Sequence, residues 1–154
     1  MAERKRALSF LSRGRKSVLS GSEVRFHDTL KAAVGDEFMI LLKVGMRDLS
    51  EMTKRAVERK LLDRVGTMIV DFVLCDPKTT TPIVAVELDD VTTYGRERAE
   101  RDRVVDAVFA AMGVALIRAR VQPTYDAAAI AGWVHAAAAR RQPPLPRTPL
   151  RPAS

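Results

Sequence analysis

From Thr67 to Asp90 the chain reads T-M-I-V-D-F-V-L-C-D-P-K-T-T-T-P-I-V-A-V-E-L-D-D, and this stretch restricts the fold more than any other. Two runs rich in β-branched residues flank a short turn segment of Pro and Thr. That pattern predicts two antiparallel strands joined by a hairpin. With the turn Asp76 to Pro82 centred on Thr79, cross-strand partners have numbers that sum to 158, which sets Asp71 opposite Glu87. Strand side chains alternate between faces, so Asp71, Val73, Ala85, Glu87 and Asp89 are expected on one side. Carboxylates placed opposite one another repel, and a fold keeps them only where a shared proton or a bound cation offsets the repulsion. Asp71, Glu87 and Asp89 are therefore the candidate functional residues.

The flanking sequence supplies helices and two more strands. Ser20-Gly21-Ser22-Glu23 predicts a helix start of the capping-box type, and Gly35 a stop after Val34. Phe26, His27, Leu30 and Val34 recur at helical spacing. Glu23 extends that stripe, so it is read first as a cap and second as an acid aimed into the site. Phe38 to Val44 predicts a strand. Residues 45–66 read as a long charged connection with a helical turn or two. A helix is expected from Arg96 to Met112, stopped by Gly113, with Val105, Val108 and Met112 as its buried stripe and Val104 and Phe109 alongside. Arg101 lies four residues before Val105 on that stripe, and should face the carboxylates either as a functional cation or as a structural ion pair. Val114 to Val121 is a further strand, ended by Pro123, and Asp126 to Arg140 an alanine-rich helix carrying Trp133. Helix, strand, strand, strand, helix, strand, helix places the chain in the α/β class.

Charge is unevenly distributed. Residues 1–16 carry +5 and residues 140–154 carry +4, which leaves −2 of the total +7 for the middle. The expected organisation is a basic flexible tail over residues 1–19, a single domain over 20–140, and a Pro- and Arg-rich tail over 141–154. Basic tails suit nucleic-acid phosphates, and equally suit solvated ends. No apolar run approaches the ~18 residues of a membrane span. The N-terminus lacks the apolar segment of a secretion signal, so a cytoplasmic location is expected. One cysteine, Cys75, excludes an internal disulfide and a cysteine-rich zinc site.

Four segments carry a likeness to a known group: V-D-F-V-L-C-D-P at 70–77, V-A-V-E-L-D-D at 84–90, R-A-E-R-D-R-V-V-D at 98–106 and A-A-M-G-V-A-L-I-R at 110–118. Together they resemble the PD-(D/E)XK nuclease superfamily, and within it a small bacterial branch of uncharacterised domains related to the very short patch repair endonuclease. The resemblance spans about residues 20–121. It implies a restriction-endonuclease-like αβββαβ core, a mixed central sheet flanked by helices. It implies Asp71 and Glu87 as metal-binding carboxylates, and gives Glu23 the position of an acid that some members use on the first helix. Asp89 stands where the commonest motif has lysine, as in a variant branch that often carries a histidine a few residues later. Here that region reads V-T-T-Y.

The function expected on this basis is a Mg²⁺-dependent nuclease, with Mn²⁺ as a possible substitute, hydrolysing phosphodiester bonds in DNA. Magnesium held by Asp71, Glu87 and Asp89 would activate water and neutralise phosphate charge. Arg101 or Arg98 would supply positive charge, and arginine cannot act as a base. The competing reading is a nuclease-like fold that binds nucleic acid or a partner protein without cutting, and a third is an assembly scaffold.

Overall fold

The computed structural model describes residues 17–50, 65–90 and 96–143, with the side chains of residues 96 and 97 left aside. Both expected tails lie almost wholly outside these residues, as does most of the connection 45–66. Helix α1 (Gly21–Val34) begins as expected: the Ser20 hydroxyl accepts from Glu23 N–H, and the Glu23 carboxylate accepts from Ser20 N–H. Strand β1 (Met39–Gly45) and the single turn α2 (Met46–Leu49) follow. Strands β2 (Ile69–Cys75) and β3 (Pro82–Asp89) form the hairpin. Helix α3 (Arg96–Met112) leads into β4 (Ala115–Arg120), and α4 (Ala127–Arg140) closes the domain with Asp126 as its N-cap.

The four strands make one mixed sheet in the order β1-β2-β3-β4. The first two pairings are antiparallel and β3–β4 is parallel, with α3 as the crossover that a parallel pair requires. Phe26, Leu30 and Val34 of α1 and Ile130, Val134 and Ala137 of α4 pack on Phe72, Leu74, Val84 and Val86. On the opposite face Val105 and Phe109 of α3 pack on Val73, Cys75 and Ala85. The domain is thus an α/β structure of three layers. The core of α3 begins at Val104, with Val105 and Phe109 fully buried and Val108 and Met112 at the margin.

Local signals end the elements where the sequence predicts. Gly113, at φ 69°, takes the left-handed conformation that stops α3. Its N–H bonds Ala110 O and the next N–H, of Val114, bonds Phe109 O, the double closure of a Schellman motif. The hairpin register also follows expectation, because Phe72↔Val86, Val73↔Ala85 and Leu74↔Val84 all sum to 158. It shifts between Leu74 and Cys75, where Cys75 pairs with Pro82.

The turn itself is pinned by Asp76, whose Oδ1 accepts from Lys78 N, Thr79 N and the Thr79 hydroxyl. These bonds hold the Asp76 carboxyl below its usual range. Thr80 sits in the left-handed region, φ 59°, where a β-branched side chain is strained. Its N–H bonds Asp76 O, a contact that glycine would keep. Thr80→Gly should therefore stabilise the domain by about 1 kcal/mol. Urea unfolding at neutral pH reads this directly, and a lower midpoint would show that the turn tolerates threonine without strain.

Candidate functional site: acids and cations at the divergence of the central strands

Besides the shift at Leu74 and Cys75, the antiparallel ladders of β2 are irregular at one further point. Leu41 and Val44, three residues apart in β1, both pack into the α3-side core. Val70 and Val73 do the same in β2. Strict alternation forbids this, so each strand slips by one position between those residues. The slips face each other, because Leu42 pairs with Phe72 and Val44 with Val70, which leaves Lys43 opposite Asp71. Lys43 has φ 52°, the left-handed value that produces the slip. A lysine held there costs on the order of 1 kcal/mol, which its contacts must offset.

Those contacts are two carboxylates from different layers. Lys43 Nζ donates to Asp71 Oδ1 at 2.7 Å and also bonds Glu23 Oε1. Glu23 serves as the cap of α1 through one oxygen and as the partner of Lys43 through the other. The cap read from its sequence position is present, and the other oxygen meets Lys43. Burial works to raise the Glu23 carboxyl, but the bonds from Lys43 and Ser20 outweigh it and hold it below its usual range. Burial likewise works to lower the Lys43 ammonium, and its bonds to Asp71 and Glu23 outweigh that, so it stays charged above its usual range.

Asp71 also ends the β2–β3 ladder. A continued ladder would aim Leu88 N–H at Val70, but Leu88 N–H donates to Asp71 Oδ2 at 2.9 Å instead. The carboxylate stands between the strands as they part, and both its oxygens accept a hydrogen bond. The paired register stops at Phe72↔Val86, one residue short of Asp71 and Glu87. Those two acids are nonetheless close enough for the Asp71 charge to act on Glu87.

Glu87 has a different environment. Its side chain is 17% exposed, and among the described residues its carboxylate accepts no hydrogen bond. The nearest cation is Arg118 on β4, paired with Glu87 in the parallel register, with Nε 3.7 Å from Oε2. Burial pushes the Glu87 carboxyl up; Arg118 and Arg101 pull it down; Asp71 and Asp89 push it up further, and the net shift is upward. Arg118 Nη1 bonds Asp106 of α3 at 2.8 Å. Burial opposes its charge, and Asp106 more than restores it. Its Nε and Nη2, the side-on edge of the guanidinium, are buried and have no hydrogen-bond partner among the described residues.

The remaining expected residues divide. Asp89 is taken by Arg98, Nη2 to Oδ1 at 2.5 Å, and Arg98 also lies 3.9 Å from Asp102. Arg101 is exposed and makes no direct contact with the carboxylates, because the packed part of α3 begins beyond it. Its charge still reaches Glu87. The residues that sequence reasoning missed are Lys43 and Arg118. Lys43 is a lone cation inside the apolar run M-I-L-L-K-V, and Arg118 with Arg120 breaks the apolar run of V-A-L-I-R-A-R, and that is the signal that could have found them.

Among the described residues, no three His, Cys, Asp or Glu side chains lie close enough together to cage a metal ion. Asp71, Glu87 and Asp89 therefore do not form the three-ligand set that the sequence suggested. Magnesium does not require one: it is commonly held by one or two carboxylates, with waters and substrate phosphate completing its shell. Asp71, fixed from two sides, and Glu87, which accepts no hydrogen bond among the described residues, are the two carboxylates that would hold such an ion. Asp71 keeps lone pairs beyond the two bonds it accepts.

Among the described residues no helix is long and apolar enough to cross a membrane. Comparison with curated proteins and with solved structures gives no match. A family profile matches residues 15–137, which takes in every element from α1 to β4 and most of α4. The family is described as DUF2726, protein of unknown function, and the chain belongs to it.

Proposed function

We propose that the chain is a divalent-metal-dependent nuclease of the PD-(D/E)XK kind, hydrolysing phosphodiester bonds in DNA, with Asp71 and Glu87 as the metal-holding carboxylates. The observation that carries this reading is Glu87, an acid withdrawn from water that accepts no hydrogen bond among the described residues, with its nearest cation 3.7 Å away and burial outweighing the pull of Arg118 and Arg101. Such a group lowers stability unless it serves a ligand, and a cation is the ligand that would relieve it. The αβββαβ order and the acids at the ends of β2 and β3 support the same reading. A bound Mg²⁺ would neutralise charge on the phosphate and lower the pKa of a bound water.

The chain's own groups divide the rest of the work. Leu88 N–H and Lys43 hold Asp71 in one orientation, so that no reorganisation is needed when charge develops nearby. Arg118 stands beside Glu87, its Nε 3.7 Å from Oε2, and sets a positive charge against that carboxylate. Arg101 adds positive potential at the exposed rim. Neither Lys43, held above its usual range, nor the arginines can take a proton from water, so proton removal falls to a carboxylate.

A second reading is favoured by Arg98, which occupies Asp89, and by the lack of a three-acid cage among the described residues. In it the same surface binds nucleic acid without cutting. A cleavage assay on single- and double-stranded DNA separates the two. With Mg²⁺ or Mn²⁺ the wild type should nick or degrade DNA, chelator should stop it, and Asp71→Ala and Glu87→Ala should each abolish it. Metal-independent binding with no cleavage would support the second reading.

A further inference from the structure

The Lys43 ammonium lies where two carboxylates from separate layers converge. Glu23 comes from the first turn of α1 and Asp71 from β2, and each places one oxygen against the same nitrogen. Carboxylate oxygens hold an ammonium and a hard divalent cation at similar range: 2.7 Å for Asp71 here, against about 2.0–2.6 Å for Mg²⁺ or Ca²⁺. Lys43 pays for its place with a left-handed backbone and a slip in two strands. Its charge is held firmly, 27% exposed and bonded on two sides.

We propose that Lys43 is a built-in cation: its ammonium fills the position defined by Glu23 and Asp71, so that the site takes one divalent ion, at Asp71 and Glu87, instead of two. This rests on the nuclease reading above for the second half of the statement only. Charge supports it. Glu23, Asp71 and Glu87 bring three negative charges, and Lys43 cancels one. A single divalent ion then balances the other two, whereas two divalent ions beside the ammonium would leave the cluster strongly positive. Asp71 is shared: one oxygen accepts from Lys43 and the other from Leu88 N–H, each keeps a further lone pair, and its charge reaches Glu87. Lys43 thereby acts through Asp71 as a positioning residue.

The test counts ions on metal-stripped, full-length protein by titration with Mn²⁺, following the loss of the free-ion electron paramagnetic resonance signal. Wild type should bind one Mn²⁺. Lys43→Met keeps the apolar stem and removes the charge, and should bind two. Adding Glu23→Gln to that variant should return the count to one, because glutamine still caps the helix while losing the charge. Glu23→Gln alone should leave the count at one, and this variant decides the matter if Lys43→Met does not fold. The two proposals fail separately. One ion in both wild type and Lys43→Met overturns the built-in cation and leaves the nuclease reading intact. No ion in wild type and one in Lys43→Met overturns the nuclease reading and supports the built-in cation. Two ions in wild type, or a lost ion in Glu23→Gln alone, overturns the built-in cation.

Discussion

Asp71→Ala will unfold the domain about 2–3 kcal/mol more easily than wild type at neutral pH. The substitution removes two bonds to an ionised carboxylate, from Lys43 and from Leu88 N–H, a class that contributes about 1.5–3 kcal/mol each when fully desolvated. Breaking a fully buried pair costs about 3–5 kcal/mol, but here the side chains keep 27% and 18% exposure and Lys43 retains Glu23. The lower range follows. For a domain of this size the loss is a fall in Tm of about 5–10 °C. Asp71→Asn keeps an acceptor for Leu88 N–H and loses the charge, so it should fall between. Hydrogen exchange gives a local readout, since the Leu88 amide should lose protection in the alanine variant first. A loss under about 0.5 kcal/mol, typical of a plain surface change, would mean that Asp71 does not join the strands.

The difference between what could and could not be read beforehand follows the range of the interactions. The α1 cap, the Gly113 stop and the hairpin register depend on residues within a few positions of each other, and the sequence pattern carries them. The α/β class follows from the order of those local elements. Lys43 meeting Asp71 depends on how β1 lies against β2, across a connection whose middle carries no strong periodicity. No rule of alternation foresees a lysine in the left-handed region, because that conformation is stable only once Glu23 and Asp71 are present to hold it. The simple face assignment failed for the same reason. It grouped Asp71 with Val73 by parity, and the slip between them turns Asp71 into the gap between β2 and β3. Arg101 was placed by helical phase alone, which fixes a direction but not how far along the helix the core extends.

The same reasoning explains why Asp71 and Glu87, adjacent in space and alike in chemistry, should respond oppositely to mutation. Asp71 is built into the sheet by two hydrogen bonds. Glu87 accepts none among the described residues, and its burial outweighs the pull of Arg118 and Arg101. One acid contributes to the fold, and the other is tolerated by it. A site that must accept a cation has reason for both, since a ligand already satisfied by protein donors gains little from the ion.

Glu87→Gln should accordingly raise Tm at pH 7, by roughly 1 kcal/mol of stability, while cleavage is lost. The sign follows from linkage. Glu87 titrates above its ordinary value of 4.5 in the folded state, so the folded chain holds that proton more tightly than the unfolded chain. Its favourable contribution is full below about pH 4.5 and disappears as pH rises through the folded value, leaving an ionised acid that the fold disfavours. The advantage of the variant over wild type should therefore be largest at neutral pH and vanish below pH 4.5. Glu23 runs the other way: its pKa is depressed, so its contribution is full above 4.5 and is lost as acid protonates it. Subtracting the variant's pH–stability curve from that of wild type isolates Glu87 from Glu23. Addition of Mn²⁺ should then stabilise wild type by about 2.7 kcal/mol at one hundred times its dissociation constant, and leave Glu87→Gln unmoved at the same concentration. Equal stabilisation of both proteins by the metal, or a variant less stable than wild type at pH 7, would remove Glu87 from the metal site and with it the nuclease reading.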